Sequence, residues 1–134
     1  MPDPNCKMRG CFHAPGFVIE CGYDEPLALA SVGTGWADLV RAGLAAVAGY
    51  GRLVQVKEKY GTLRLYWDGE MGITRRKADV IQHAIDELET RSGTLCEQCG
   101  APGRLVASPG KWYSTACPDH TPADYRAVAE EDGA

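Results

Sequence analysis

Residues 96–120 read CEQCGAPGRLVASPGKWYSTACPDH, and this stretch decides the fold of the C-terminal third. Cys96, Cys99, Cys117 and His120 are spaced as C-x2-C-x17-C-x2-H. A two-residue gap lets one tight turn aim two side chains at a single ion, and thiolate and imidazole are donors that zinc takes in a tetrahedron. Gly100 follows the first pair, where the backbone of such a knuckle often needs a positive φ. Between the pairs, RLVASPGKWYSTA offers strand, turn and strand with Pro109-Gly110 at the bend, so a hairpin would return the second pair to the first. The expectation is one structural Zn2+, because four protein ligands fill the tetrahedron and leave no position for water or substrate.

After His120 comes TPADYRAVAEEDG. Thr121 suits a helix N-cap, Pro122 the first helical position and Asp124 a capping carboxylate. A knuckle, a hairpin and a ligand pair at a helix entrance is the order of a treble-clef finger. A plain zinc ribbon, with two symmetric knuckles, is the runner-up.

Working toward the N-terminus, ITRRKADVIQHAIDELETRSG (73–93) predicts a helix with Thr74 as N-cap, an apolar stripe of Ala78, Ile81, Ala84, Ile85 and Leu88, and Gly93 as its stop. His83 lies off that stripe and reads as solvent-exposed. RLVQVKEKYGTLRLYWDG (52–69) predicts an antiparallel hairpin turning at Tyr60-Gly61. Alternation places Val54, Val56, Leu63, Leu65 and Trp67 inward and Lys57, Lys59 and Arg64 outward. Glu58 breaks the pattern and is expected to reach solvent near the tip. TGWADLVRAGLAAVAGYG (34–51) sets Trp36, Leu39, Val40, Gly43, Leu44 and Val47 on one helical stripe, with Thr34 as N-cap and Gly49 or Gly51 as stop.

The fold class that follows is α+β: a helix, hairpin and helix core over 34–93, and a zinc finger with a C-terminal helix over 94–134. A loop-rich segment, residues 1–33, precedes them, with GFVIEC its one strand candidate, and all three are expected to pack as one compact unit. Cys6, Cys11, His13 and Cys21 in that segment form the weaker pattern C-x4-C-x-H-x7-C, a candidate for a second metal site.

GWADLV, VQVKEKYGTLRLYW and CEQCGAPGRL with its later Trp, Thr, Cys and His resemble, in the same order, a group of small zinc-finger proteins encoded by phages and bacteria. The likeness covers about residues 34–121. It implies the ligands Cys96, Cys99, Cys117 and His120, makes the basic hairpin part of the same unit, and supplies a genomic setting without a reaction.

Composition narrows the function classes. A chain of 134 residues, 45% hydrophobic and 24% charged, has enough apolar matter for one globular core. Its net charge is −4, yet residues 52–77 hold seven basic side chains against three acidic ones. No run of about 18 apolar residues suits a membrane span, and MPDPNCKMRG lacks a signal peptide's apolar core, so a cytoplasmic setting with reduced thiols is expected. An enzyme would show a nucleophile beside a base, an open metal site or paired acids, and none of these is visible. The four residues GTGW lack the rest of a phosphate-cradling loop. No small-molecule substrate is therefore expected. A protein-interaction module fits best, its partner a host protein in the phage setting and its exposed aromatics Tyr66, Trp112 and Tyr113. Nucleic-acid binding through Lys57, Lys59, Arg64 and Tyr66 is the alternative, with Arg75, Arg76 and Lys77 at the second helix adding to the charge.

Overall fold

Regular structure starts earlier than a loop-rich reading of residues 1–33 expects. The computed structural model describes residues 22–128, and in it Glu25–Ala30 forms a short helix, α1. The Asp24 carboxylate caps it by accepting from the Leu27 N–H at 3.0 Å. Pro26 sits in its first turn, where a missing N–H breaks no helical bond. One proline that suggested loop is thus helix punctuation. Cys6, Cys11, His13, Cys21 and the strand candidate GFVIEC lie outside the described residues.

A single 3-10 turn, Thr34–Trp36, leads into α2, Ala37–Val47. Thr34 does not cap α2. Trp36 takes that position without a side-chain bond, and the Thr34 hydroxyl instead donates to the Gln98 carbonyl at 3.1 Å. The predicted stripe is buried at Trp36, Leu39, Val40, Gly43 and Val47, with Leu44 half-buried. At Gly43 the helix lies so close to the sheet that a Cβ would stand 2.9 Å from Leu65 Cδ1.

The hairpin consists of β1, Gly51–Lys59, and β2, Thr62–Gly69, paired antiparallel. Tyr60 (φ 53°) and Gly61 (φ 85°) form its two-residue loop, both left-handed as a type I′ turn requires. Val56, Leu63 and Leu65 are buried as alternation predicts, and Trp67 is half-buried. Val54 departs from it: the register shifts between Leu53 and Gln55, so Val54 is the extra residue of a bulge. Leu53, fully buried, takes the inward place, because one inserted residue reverses the alternation on its N-terminal side. Glu58 turns inward opposite Leu63 and its carboxylate accepts from the Gly61 N–H at 3.2 Å, bracing the tip instead of reaching freely into solvent.

Helix α3, Arg75–Ser92, is capped by Thr74, whose hydroxyl accepts from the Lys77 N–H. It buries Ile81, Ile85 and Leu88 against the core and leaves His83 exposed. It also covers the free edge of β2. Ser92 Oγ accepts from Leu63 N–H and Glu89 Oε2 from Leu65 N–H, each at 2.8 Å, so donors that would otherwise stand unpaired are satisfied.

The C-terminal sheet has strand order β4-β3-β5, all antiparallel, from β3 (Arg104–Ala107), β4 (Tyr113–Ala116) and β5 (Arg126–Ala127). The expected helix entrance at Thr121 is not there. The Thr121 hydroxyl donates back to the Cys117 carbonyl, Pro122–Tyr125 closes a turn, and Arg126–Ala127 pairs with Val106 and Ala107. Proline and aspartate serve a turn as readily as a helix start, and the buried Ala127 gains a sheet partner by extending. The α+β class stands, with a third strand where a helix was expected through residue 127. Among the described residues no helix is long and apolar enough to cross a membrane.

Candidate metal centre

The first ligand pair is set by a knuckle of backbone bonds. Cys96 N–H donates to the Ala101 carbonyl and Gly100 N–H to the Cys96 carbonyl, both at 2.8 Å. Gly100 has φ 78°, the left-handed conformation its place in the sequence predicts. The second pair leaves the end of β4: Cys117 precedes a 3-10 turn, Pro118–His120, in which His120 N–H donates to the Cys117 carbonyl at 3.1 Å. The hairpin of β3 and β4 brings the pairs together.

The four ligand atoms all lie within 4.8 Å of one another. Cys99 Sγ is 3.6 Å from Cys117 Sγ, and His120 Nδ1 is 3.6 Å from Cys96 Sγ and 3.1 Å from Cys117 Sγ. A tetrahedron with metal–sulfur bonds of about 2.3 Å has edges of about 3.8 Å, so the donor set fits a single four-coordinate ion. Cys96 and Cys117 are buried, His120 is half-buried and Cys99 is exposed. Burial opposes ionisation of Cys96, but backbone amides of Cys117, Cys99 and Gln98 together outweigh it and lower the thiol to about 6. At Cys99 a backbone N–H at Ala101 favours the thiolate, yet desolvation and the Cys117 and Cys96 thiols prevail and raise its pKa. A divalent cation held here would relieve that repulsion and ionise the thiols together.

Two parts of the core close on this centre, the turn before α2 and the tip of the hairpin. GTGW docks on the knuckle. Gly33 N–H donates to Glu97 Oε2, Gly35 N–H to the Glu97 carbonyl at 2.7 Å, and the buried Trp36 indole to the Leu95 carbonyl at 2.9 Å. A Cβ on Gly35 would lie 2.1 Å from the Cys96 carbonyl oxygen and 2.4 Å from the Gly100 nitrogen, so only glycine permits this approach. The hairpin tip docks on the finger sheet. The buried Thr115 hydroxyl donates to the Gly61 carbonyl at 2.7 Å, and Leu105 and Ser114 leave no room for a side chain at Gly61. Two glycines two apart, just before an amphipathic helix opening on tryptophan, are the signal that could have suggested a backbone contact of this kind.

Lys57, Lys59, Arg64 and Tyr66 lie on the outer side of the hairpin. Lys57 pairs with Arg64, Gln55 with Tyr66 and Lys59 with Thr62. Lys57 Nζ stands 5.4 Å from the Tyr66 ring centroid, and Lys59 Nζ 5.6 Å from that of Tyr60. Arg64 is half-buried and lines a shallow depression with Asp86 and Glu89. Tyr66 is exposed, and Tyr113 meets Tyr60 edge to face at 6.1 Å. Trp112, 74% exposed, precedes Tyr113 at the finger turn. Compared with known proteins, the chain matches no family, no curated protein and no solved structure.

Proposed function

We propose that this chain is a small, zinc-stabilised protein-interaction module without catalytic activity. The carrying observation is the convergence of Cys96, Cys99, Cys117 and His120 into one four-donor site. Three thiolates and an imidazole select zinc among common divalent ions, and a tetrahedron completed by protein leaves nothing for substrate. The three-stranded sheet and the turn after His120 favour a ribbon-like finger over a treble clef. GTGW, the stretch that most resembled a phosphate loop, is occupied by the knuckle, which weighs against a nucleotide substrate.

The resemblance to phage and bacterial zinc-finger proteins makes a host protein the expected partner, met in the cytoplasm. The outward lysines of the hairpin favour nucleic acid as a second reading. Against it stand the net charge of −4 and the acidic neighbours of Arg64. Recovery of tagged, zinc-loaded protein from host lysate, with and without nuclease, tests the proposal. A partner retained after nuclease treatment supports it, and loss of every partner on nuclease treatment reverses the ranking.

A further inference from the structure

We propose that the outer face of the hairpin binds an extended acidic segment of a protein partner, with Tyr60 as its aromatic anchor. The inference rests on the reading of the chain as a protein-interaction module and names the chemistry of its partner. Gln55, Lys57, Lys59, Thr62, Arg64 and Tyr66 share this face through their pairing across the strands. Glu58 is turned to the opposite face and bonded to Gly61, while the carboxylates of Asp68, Asp86 and Glu89 gather around Arg64 and Tyr66, away from the tip, so the cationic end of the face is the one at Lys57 and Lys59. The tip end of the face is basic on a chain that is acidic overall.

Tyr60 supplies a second, independent observation. It holds φ 53° at the first loop position of a type I′ turn, where asparagine, aspartate or glycine fits with less strain. A bulky residue there costs stability, and its ring contacts among the described residues are an edge-to-face one with Tyr113 and the Lys59 ammonium above it. The ring remains 65% exposed. A strained, exposed tyrosine beside a second aromatic ring is the type of residue that anchors a protein interface.

Geometry chooses the form of the partner. Lys57 and Lys59 are alternate residues on one strand, so their stems stand roughly 7 Å apart, the same distance that separates alternate side chains of an extended peptide. Carboxylates at positions i and i+2 of such a segment meet both ammonium groups. Base stacking suits the face less well, since each lysine already stands over the tyrosine ring that a base would need. Two lysines also release few counterions on meeting a phosphate backbone.

The test uses zinc-loaded full chain and fluorescence anisotropy with three labelled probes: a decapeptide of alternating Glu and Thr, its Gln and Thr counterpart, and a ten-nucleotide oligothymidine. The Glu probe is expected to bind roughly tenfold or more tighter than either of the others. Lys57→Gln with Lys59→Gln should weaken it roughly tenfold. Tyr60→Asn should weaken it similarly while leaving Tm unchanged or raised, which separates a binding role from a structural one. Equal binding of the Glu and Gln probes, wild-type affinity in both variants, or tighter binding of oligothymidine overturns the proposal. If these variants still recover a nuclease-resistant partner from lysate as wild type does, this surface is overturned and the module reading survives.

Discussion

Gly35 and Glu97, far apart in sequence, are joined backbone to backbone at 2.7 Å, and Gly33 completes the contact by donating to the Glu97 carboxylate. The knuckle that carries Cys96 and Cys99 is therefore held from below by the entrance to α2. Through this contact, occupancy of the metal centre should be linked to order in the helical core.

Gly35→Ala should destabilise the protein by about 2–4 kcal/mol, because the new methyl group would overlap the Cys96 carbonyl and the Gly100 amide. Denaturant unfolding measures the loss, and competition with a chromophoric chelator should show weaker metal retention. Gly49→Ala is the control: φ 80° makes it cost about 1 kcal/mol, and with nothing within 4 Å it should leave metal retention unchanged.

Stripping the metal with a chelator should unfold at least residues 94–121, a segment with few apolar side chains of its own. Amide exchange should then quicken beyond the finger, at Gly35 and at the hairpin tip. Cys117→Ser should reproduce the effect. Unchanged protection of the Gly35 amide in metal-free protein would refute the linkage between centre and core.

Ser92→Ala should cost about 1–3 kcal/mol, since it leaves the Leu63 N–H at the covered edge of β2 without an acceptor. Thr90→Ala, an exposed position on the same helix, should stay within about 0.5 kcal/mol. Thermal melts of the two variants check the contrast.

Metal analysis of purified protein should give one zinc per chain, unchanged in Cys21→Ser. A value near two that falls by one in that variant would establish the second site formed by Cys6, Cys11, His13 and Cys21.

The elements with strong local signals were legible in the sequence. The cluster of Cys96, Cys99, Cys117 and His120 announces itself by spacing, α3 by its cap and stripe, and the hairpin by alternation around Tyr60-Gly61. The bulge at Val54 was not, because one inserted residue changes which side chain faces inward without changing composition. The strand at Arg126–Ala127 was missed for a related reason: TPAD suits a helix start and a turn alike, and pairing with β3 decides between them. GTGW and Gly61 were opaque since a glycine's reason lay in a distant backbone, at Glu97 and at Thr115, which no local pattern encodes.

The docking of Gly61 under Thr115 and of Trp36 under Leu95 also bears on how the chain is made. Synthesis proceeds from the N-terminus, so the helix entrance and the hairpin tip leave the ribosome well before the residues that seal them. Contacts this distant in sequence are slow to close. A nascent chain ending at Gly93 would expose the Trp36 indole and an unsealed turn. Sealing of the helix entrance and the hairpin tip therefore waits until Leu95 and Thr115 have been made, and an ion held by Cys96, Cys99, Cys117 and His120 would close the step.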